Sequence, residues 1–154
     1  MPPEIYKTSH RPGLNKLKRI LLVDDQAHVL RVIKLSLDRN GFEVDTALSG
    51  DTALAMLKSA GAHASDNRHY DVLITDADMP GMNGMALCES VYREFSHGSP
   101  LMFIVGEDGD TSLSEWAGKH RGTELLEKPI SLGWLVSRLD EHFGHYDKQV
   151  ATGR

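Results

Sequence analysis

Asp76 closes the apolar run Val72-Leu73-Ile74-Thr75 and is followed by Ala77-Asp78-Met79-Pro80-Gly81-Met82-Asn83-Gly84. A β-branched, apolar run that stops at an acid and then at a Pro/Gly-rich turn puts a carboxylate at the carboxyl end of a strand. Ile20-Leu21-Leu22-Val23 runs into Asp24-Asp25 in the same way, and Leu125-Leu126-Glu127 runs into Lys128-Pro129. In a parallel sheet, strand ends of one kind share one edge, and open α/β sheets bind ligands there. Asp24, Asp25, Asp76 and Lys128 are therefore expected around one crevice.

Carboxylates gathered at such an edge repel one another, by roughly 4 kcal/mol per pair at about 4 Å and an effective dielectric near 20. A hard cation relieves that repulsion, and oxygen-only ligands with no thiol or paired imidazole favour Mg²⁺ over zinc. Mg²⁺ keeps waters and is commonly completed by phosphate oxygens, which suits phosphoryl transfer. A carboxylate beside the metal can attack phosphorus and hold the phosphoryl group as an acyl phosphate, with the lysine pairing with a phosphoryl oxygen. Taken singly, Asp24 and Asp25 read equally well as helix caps, Asp76 as a turn cap and Lys128 as a solvated side chain. Their joint occurrence at matching strand ends points to a site.

Alternating strand and helix signals supply the scaffold. Strands are expected at about 19–23, 42–46, 71–76, 101–105 and 124–127. Between them, a helix over about 27–39 carries Val29, Ile33 and Leu37 inward and stops at Asn40-Gly41. Ser49 caps a second helix with Ala53, Leu54 and Leu57 on its inner face. A third helix runs from near Gly84 to before Gly98, a short fourth lies around Trp116, and a last one spaces Leu132, Leu135, Val136, Leu139 and Phe143 helically. Gly61 to Tyr70 reads as a surface loop, and Gly106-Glu107-Asp108-Gly109-Asp110 as a mobile acidic one. The pattern is an α/β fold, a doubly wound five-stranded parallel sheet with five helices. It divides the chain into an N-terminal extension (1–18), one domain (19–143) and a C-terminal tail (144–154).

With 154 residues, 40% hydrophobic and 25% charged, the chain is an ordinary globular domain able to bury a core. Its longest apolar run, Leu101 to Val105, is far short of the ~20 residues that span a bilayer, and the N-terminus lacks a signal-peptide h-region. A cytoplasmic location without membrane attachment is expected. The single cysteine, Cys88, shares a helical face with Val91, Tyr92 and Phe95 and reads as core. A net charge of −5 argues against nucleic acid as a partner, and the basic arm Lys7, Arg11, Lys16, Lys18 and Arg19 reads as a solvated tail. The eight histidines are scattered and receive no role.

The segments at Ile20–Asp25, Asp76–Gly84 and Lys128-Pro129 together resemble the receiver domain of two-component response regulators, a flavodoxin-like fold, over about residues 19–143. The resemblance implies Asp76 as phosphoacceptor, Asp24 and Asp25 as Mg²⁺-binding acids, the Asp78 backbone carbonyl as a further metal ligand, and Lys128 as the phosphoryl contact. It also implies a cis Lys128-Pro129 bond. A histidine kinase or histidine phosphotransfer protein would donate the phosphoryl group. A downstream protein would engage the face made by the fourth helix, fifth strand and fifth helix, where Trp116 and Trp134 are either anchors or core. Eleven residues after Phe143 are too few for an output domain, so a single-domain regulator acting through another protein is expected.

Two positions depart from the family. The Ser or Thr usual at the end of strand four is Val105, which has no donor, and the aromatic switch position three residues before the lysine is Leu125. Together they imply an altered switch. Two other readings compete. A haloacid-dehalogenase-type phosphatase also uses Asp-x-Asp, as in Asp76-Ala77-Asp78, but places its lysine before the later acidic motif. A phosphorylation-independent pseudo-receiver would tolerate Val105 and Leu125 yet would not need the acids.

Overall fold

The computed structural model describes residues 17–61, 69–96 and 98–144. The expected loop centre and both terminal extensions fall largely outside these residues. Five parallel strands, β1 (Arg19–Val23), β2 (Glu43–Ala47), β3 (Val72–Asp76), β4 (Leu101–Gly106) and β5 (Thr123–Glu127), form one sheet in the order β2-β1-β3-β4-β5. They alternate with α1 (Ala27–Arg39), α2 (Gly50–Gly61), α3 (Gly84–Glu94), α4 (Thr111–Gly118) and α5 (Leu132–Phe143).

Strand order reverses at β1: the chain steps from β1 to β2 in one direction and from β2 through β3, β4 and β5 in the other. Right-handed crossovers then put α1 on one face of the sheet and α2, α3 and α4 on the other. Side chains alternate accordingly. Leu21, Val23, Leu73 and Met102 pack with Ala53 and Leu57 of α2 and Leu87, Cys88 and Val91 of α3. The opposite alternates Ile20, Leu22, Ile74 and Phe103 are equally buried, because both faces of a parallel sheet are covered.

The expected boundaries hold with small shifts. β2 begins one residue late, at Glu43, and β4 extends to Gly106, taking the first residue of the presumed acidic loop. On α1 it is Leu30, with Ile33 and Leu37, that is buried rather than Val29. Ser49 does cap α2, its Oγ accepting from the Thr52 N–H at 3.1 Å. Asn83 caps α3 through Ala86 N–H at 2.8 Å, and Asp110 caps α4 through Leu113 N–H at 3.0 Å, which ties the acidic loop to the helix behind it. Residues 18–130 make one compact unit. α5 belongs to a second; its N-cap Ser131 accepts from Trp134 N–H, Leu135 and Leu139 are buried, and Trp134 is half-exposed.

The turn after β3 is closed by a contact that permits no side chain. Gly84 N–H donates to Ala77 O at 2.9 Å, and a Cβ on Gly84 would stand 2.3 Å from the backbone oxygen of Asp76 and 2.8 Å from Ala77 Cα. The first turn of α3 thus rests directly on the backbone of Asp76. Gly84→Ala should destabilise the domain by about 1–3 kcal/mol through forced backbone displacement. Urea unfolding should show this as a lower midpoint at unchanged slope.

Candidate functional site

β1, β3, β4 and β5 end on the same edge, and their last residues build a pocket. Asp76 is the register partner of Val105, and Gly106 of Glu127. Lys128 N–H donates to Gly106 O at 2.9 Å, continuing the ladder one step past β5 and fixing the lysine backbone beside β4. Its Nζ lies 3.0 Å from Asp76 Oδ1 and 3.9 Å from Glu107 Oε2. From β1, Asp24 and Asp25 complete the group: each offers a carboxylate oxygen, and these lie within 4.8 Å of one another and of one from Asp76. The Lys128-Pro129 bond is cis.

The four residues differ in solvation. Asp76 is buried, at 5% exposure, Lys128 is one-third exposed, Asp24 is intermediate and Asp25 is exposed. Burial raises the Asp76 pKa above the ordinary aspartate range; the Lys128 hydrogen bond and charge oppose that rise, the Asp24 charge adds to it, and the Asp78 backbone N–H lowers it. For Lys128, burial works against the ammonium, but Asp76, then Glu107 and Asp24, outweigh it and hold the pKa above the ordinary lysine value. Asp76 Oδ1 is buried and, apart from the ammonium, has no hydrogen-bond partner among the described residues. It is an acceptor with unfilled capacity, facing two further carboxylates.

That donor set fits a hard cation. Mg²⁺ holds oxygens at 2.0–2.1 Å, so ligand oxygens around it lie about 3–4.2 Å apart, and an adjustment of under about 1 Å would draw this cluster onto an ion. Asp24 retains a structural task as well: its Oδ1 accepts from Gln26 N–H at 2.9 Å at the start of α1. The N-cap of α1 is Gln26, without a side-chain cap bond, so Asp24 holds a local turn rather than capping the helix, and that turn coexists with a place in the pocket. Asp78 is exposed, with its backbone N–H turned to the Asp76 carboxylate.

Val105 is buried beside Asp76 and brings no donor. Leu125 packs with Ala77, Ile104 and Leu113, as an ordinary apolar strand residue does. Leu113 also comes so close to Gly106 that an added Cβ there would meet its Cδ2 at 2.1 Å. The contact of Glu107 with Lys128 was not foreseen: a loop acid carries no strand or helix periodicity, so only its distance identifies it. Cys88 is fully buried, and desolvation pushes its thiol up to about 12, in keeping with a core residue.

A sequence model described as "Response regulator receiver domain" matches residues 20–140. The chain belongs to the response regulator receiver family. It is 32% identical over 133 residues to the chemotaxis protein CheY-3 of Vibrio cholerae, covering 84% of this chain and 95% of that protein. It is 30% identical to the alkaline phosphatase synthesis transcriptional regulatory protein SphR of Synechococcus elongatus, covering 82% of this chain. This chain spans only about half of SphR and of several other transcriptional regulators that it matches (49% and 48% of the first two). Among solved structures, a response regulator receiver domain from Clostridium thermocellum superposes with a TM-score of 0.68 at 29% identity, covering 81% of this chain and 93% of that one. Receiver domains are regulatory phosphoacceptors rather than enzymes, and they bind Mg²⁺ at an acidic pocket. Among the described residues, no helix is long and apolar enough to cross a membrane.

The raised Asp76 pKa carries a sign for stability. A carboxyl that binds its proton more tightly folded than unfolded contributes most below the ordinary value of 3.8, and that contribution is lost as pH rises through the folded pKa. At neutral pH the ionised Asp76 is therefore a cost. In metal-free buffer at pH 7, Asp76→Asn should melt higher than the wild type, by roughly 3–5 °C for each kcal/mol relieved. The gap should close at pH 3. Added Mg²⁺ should raise the wild-type midpoint and leave Asp76→Asn nearly unmoved; scanning calorimetry across pH and metal concentration checks both.

Proposed function

We propose that this receiver domain is phosphorylated on Asp76 in a Mg²⁺-dependent relay whose donor is a histidine kinase or histidine phosphotransfer protein. The observation that carries the reading is the 3.0 Å approach of Lys128 Nζ to a buried Asp76 oxygen with the Asp24 and Asp25 carboxylates beside it. In the transfer, an Asp76 carboxylate oxygen attacks phosphorus, the phosphorus–nitrogen bond of a donor phosphoimidazole already protonated at its other ring nitrogen breaks, and an acyl phosphate forms as neutral imidazole leaves. Asp24, Asp25 and Asp76, with the Asp78 carbonyl, are the residues that would hold Mg²⁺, which supplies charge neutralisation for the phosphoryl oxygens. Lys128 stays protonated and gains a phosphoryl oxygen as partner in place of the bare carboxylate.

Val105 and Leu125 alter how that event is reported. A hydroxyl at position 105 would donate to a charged phosphoryl oxygen, an interaction of about 1.5–3 kcal/mol that this chain lacks. The acyl phosphate is therefore read through other contacts, of which Glu107 is the nearest, since it shares Lys128 with Asp76. Regulation passes to a downstream protein partner.

Incubation with acetyl phosphate and Mg²⁺, followed by intact-mass measurement, should show the gain of one phosphoryl group. The gain should vanish in Asp76→Asn and fall by about tenfold or more in Lys128→Ala or on chelation of Mg²⁺. Unmodified wild type under these conditions would leave phosphorylation-independent binding as the better reading. Val105→Thr should prolong the phosphorylated form's occupancy of its conformational state, seen as a larger amide-exchange difference between phosphorylated and free protein.

A further inference from the structure

On the α2/α3/α4 face of the sheet, away from the acidic pocket, the carboxyl-terminal half of α3 and the loop from α4 to β5 enclose an open cleft of about 410 Å³ lined by Glu89, Tyr92, Lys119, His120 and Arg121. Its walls are held by directional bonds. Trp116 Nε1 donates to Glu89 Oε2 at 2.7 Å, and the His120 ring stacks on Trp116 at 4.1 Å between centroids with Nδ1 2.7 Å from Trp116 O. Tyr92 lies 5.6 Å from His120 between ring centroids, and its hydroxyl donates to Arg121 O at 2.7 Å and contacts the buried Thr123 hydroxyl. Gly122, at φ +88°, makes the tight turn that presents the Arg121 carbonyl to Tyr92. The cleft is thus built before any occupant arrives, and little ordering entropy would be lost on binding.

Its charge is unbalanced. The Glu89 carboxylate is engaged within the wall, by the Trp116 indole and by His120 Nε2 at 4.0 Å. Lys119 and Arg121 flank the opening, both exposed, and neither has a salt-bridge partner among the described residues. In a chain of net charge −5, two uncompensated cations beside rigid aromatic walls are a local attraction for anions. Tyr, Trp and Arg are also the side chains that dominate interface energetics.

We propose that this cleft docks a carboxylate-rich peptide segment of a partner protein, with carboxylates on Lys119 and Arg121 and an apolar or aromatic side chain on the Tyr92–His120 wall. This surface is separate from Asp76, so it would be occupied whether or not the domain is phosphorylated. A peptide fits better than a nucleic acid because the uncompensated positive charge is confined to two neighbouring side chains, Lys119 and Arg121, too short a track for a phosphate backbone.

The test is a titration of ¹⁵N-labelled full-length protein with an acetylated octapeptide of glutamates around one central phenylalanine, alongside its lysine analogue and an oligothymidylate. Saturable shifts at Glu89, Tyr92 and Lys119–Arg121 are expected from the glutamate peptide alone. Binding should weaken by roughly tenfold or more in the double variant Lys119→Glu, Arg121→Glu, and in about 0.5 M salt. An unchanged spectrum away from the cleft shows that this exposed double variant is folded. Shifts mapping elsewhere, no saturable shift, unchanged affinity in the double variant, or oligothymidylate binding as tight as the peptide would each overturn the proposal.

Discussion

The structure turns on keeping a carboxylate nearly dry and yet paired. Asp76 is buried at the edge of a sheet, with its charge opposed by desolvation and by Asp24 and held by one ammonium. Everything near it serves that balance. Gly84 lets α3 start against the Asp76 backbone, the β4–β5 ladder carries Lys128 to within 3.0 Å, and the crossover after β1 leaves Asp24 and Asp25 at the same edge. The repulsion among these acids is what a hard cation would relieve, turning an unfavourable cluster into a binding site.

On the other side of Asp76, the neighbourhood is apolar. Leu125, Ala77, Ile104 and Leu113 make a small cluster near the end of β4, and Leu113 fills the space that a side chain at Gly106 would take. α4 is thereby seated by packing at its start and by the Trp116–His120–Glu89 contacts at its end. These are contacts of different kinds, one insensitive to charge and the other rich in it. They give the short helix two independent supports.

Much of this was legible in the residue order. Acids and a lysine at the ends of apolar runs locate a pocket, since parallel strands share their ends, and the β/α alternation gives the sheet and its helices to within a residue or two. Hydrophobic periodicity is a property of local chain geometry, so it survives without knowledge of partners. Where it slipped, the cause was local as well: Val29 and Leu30 are adjacent apolar residues on α1, and only the packing selects Leu30.

Distance is the quantity that residue order does not carry. That Lys128 is shared between Asp76 and Glu107, that Asp24 divides its carboxylate between a turn and the pocket, and that Glu89, Trp116 and His120 meet across two helices all depend on separations set by sheet twist and helix packing. Residue types and their spacing along the chain name the chemistry available to the molecule. Which of those groups lie within bonding reach, and how much water remains around them, is settled only once the chain has packed, because Coulomb and desolvation energies depend on position in space and not on position in sequence.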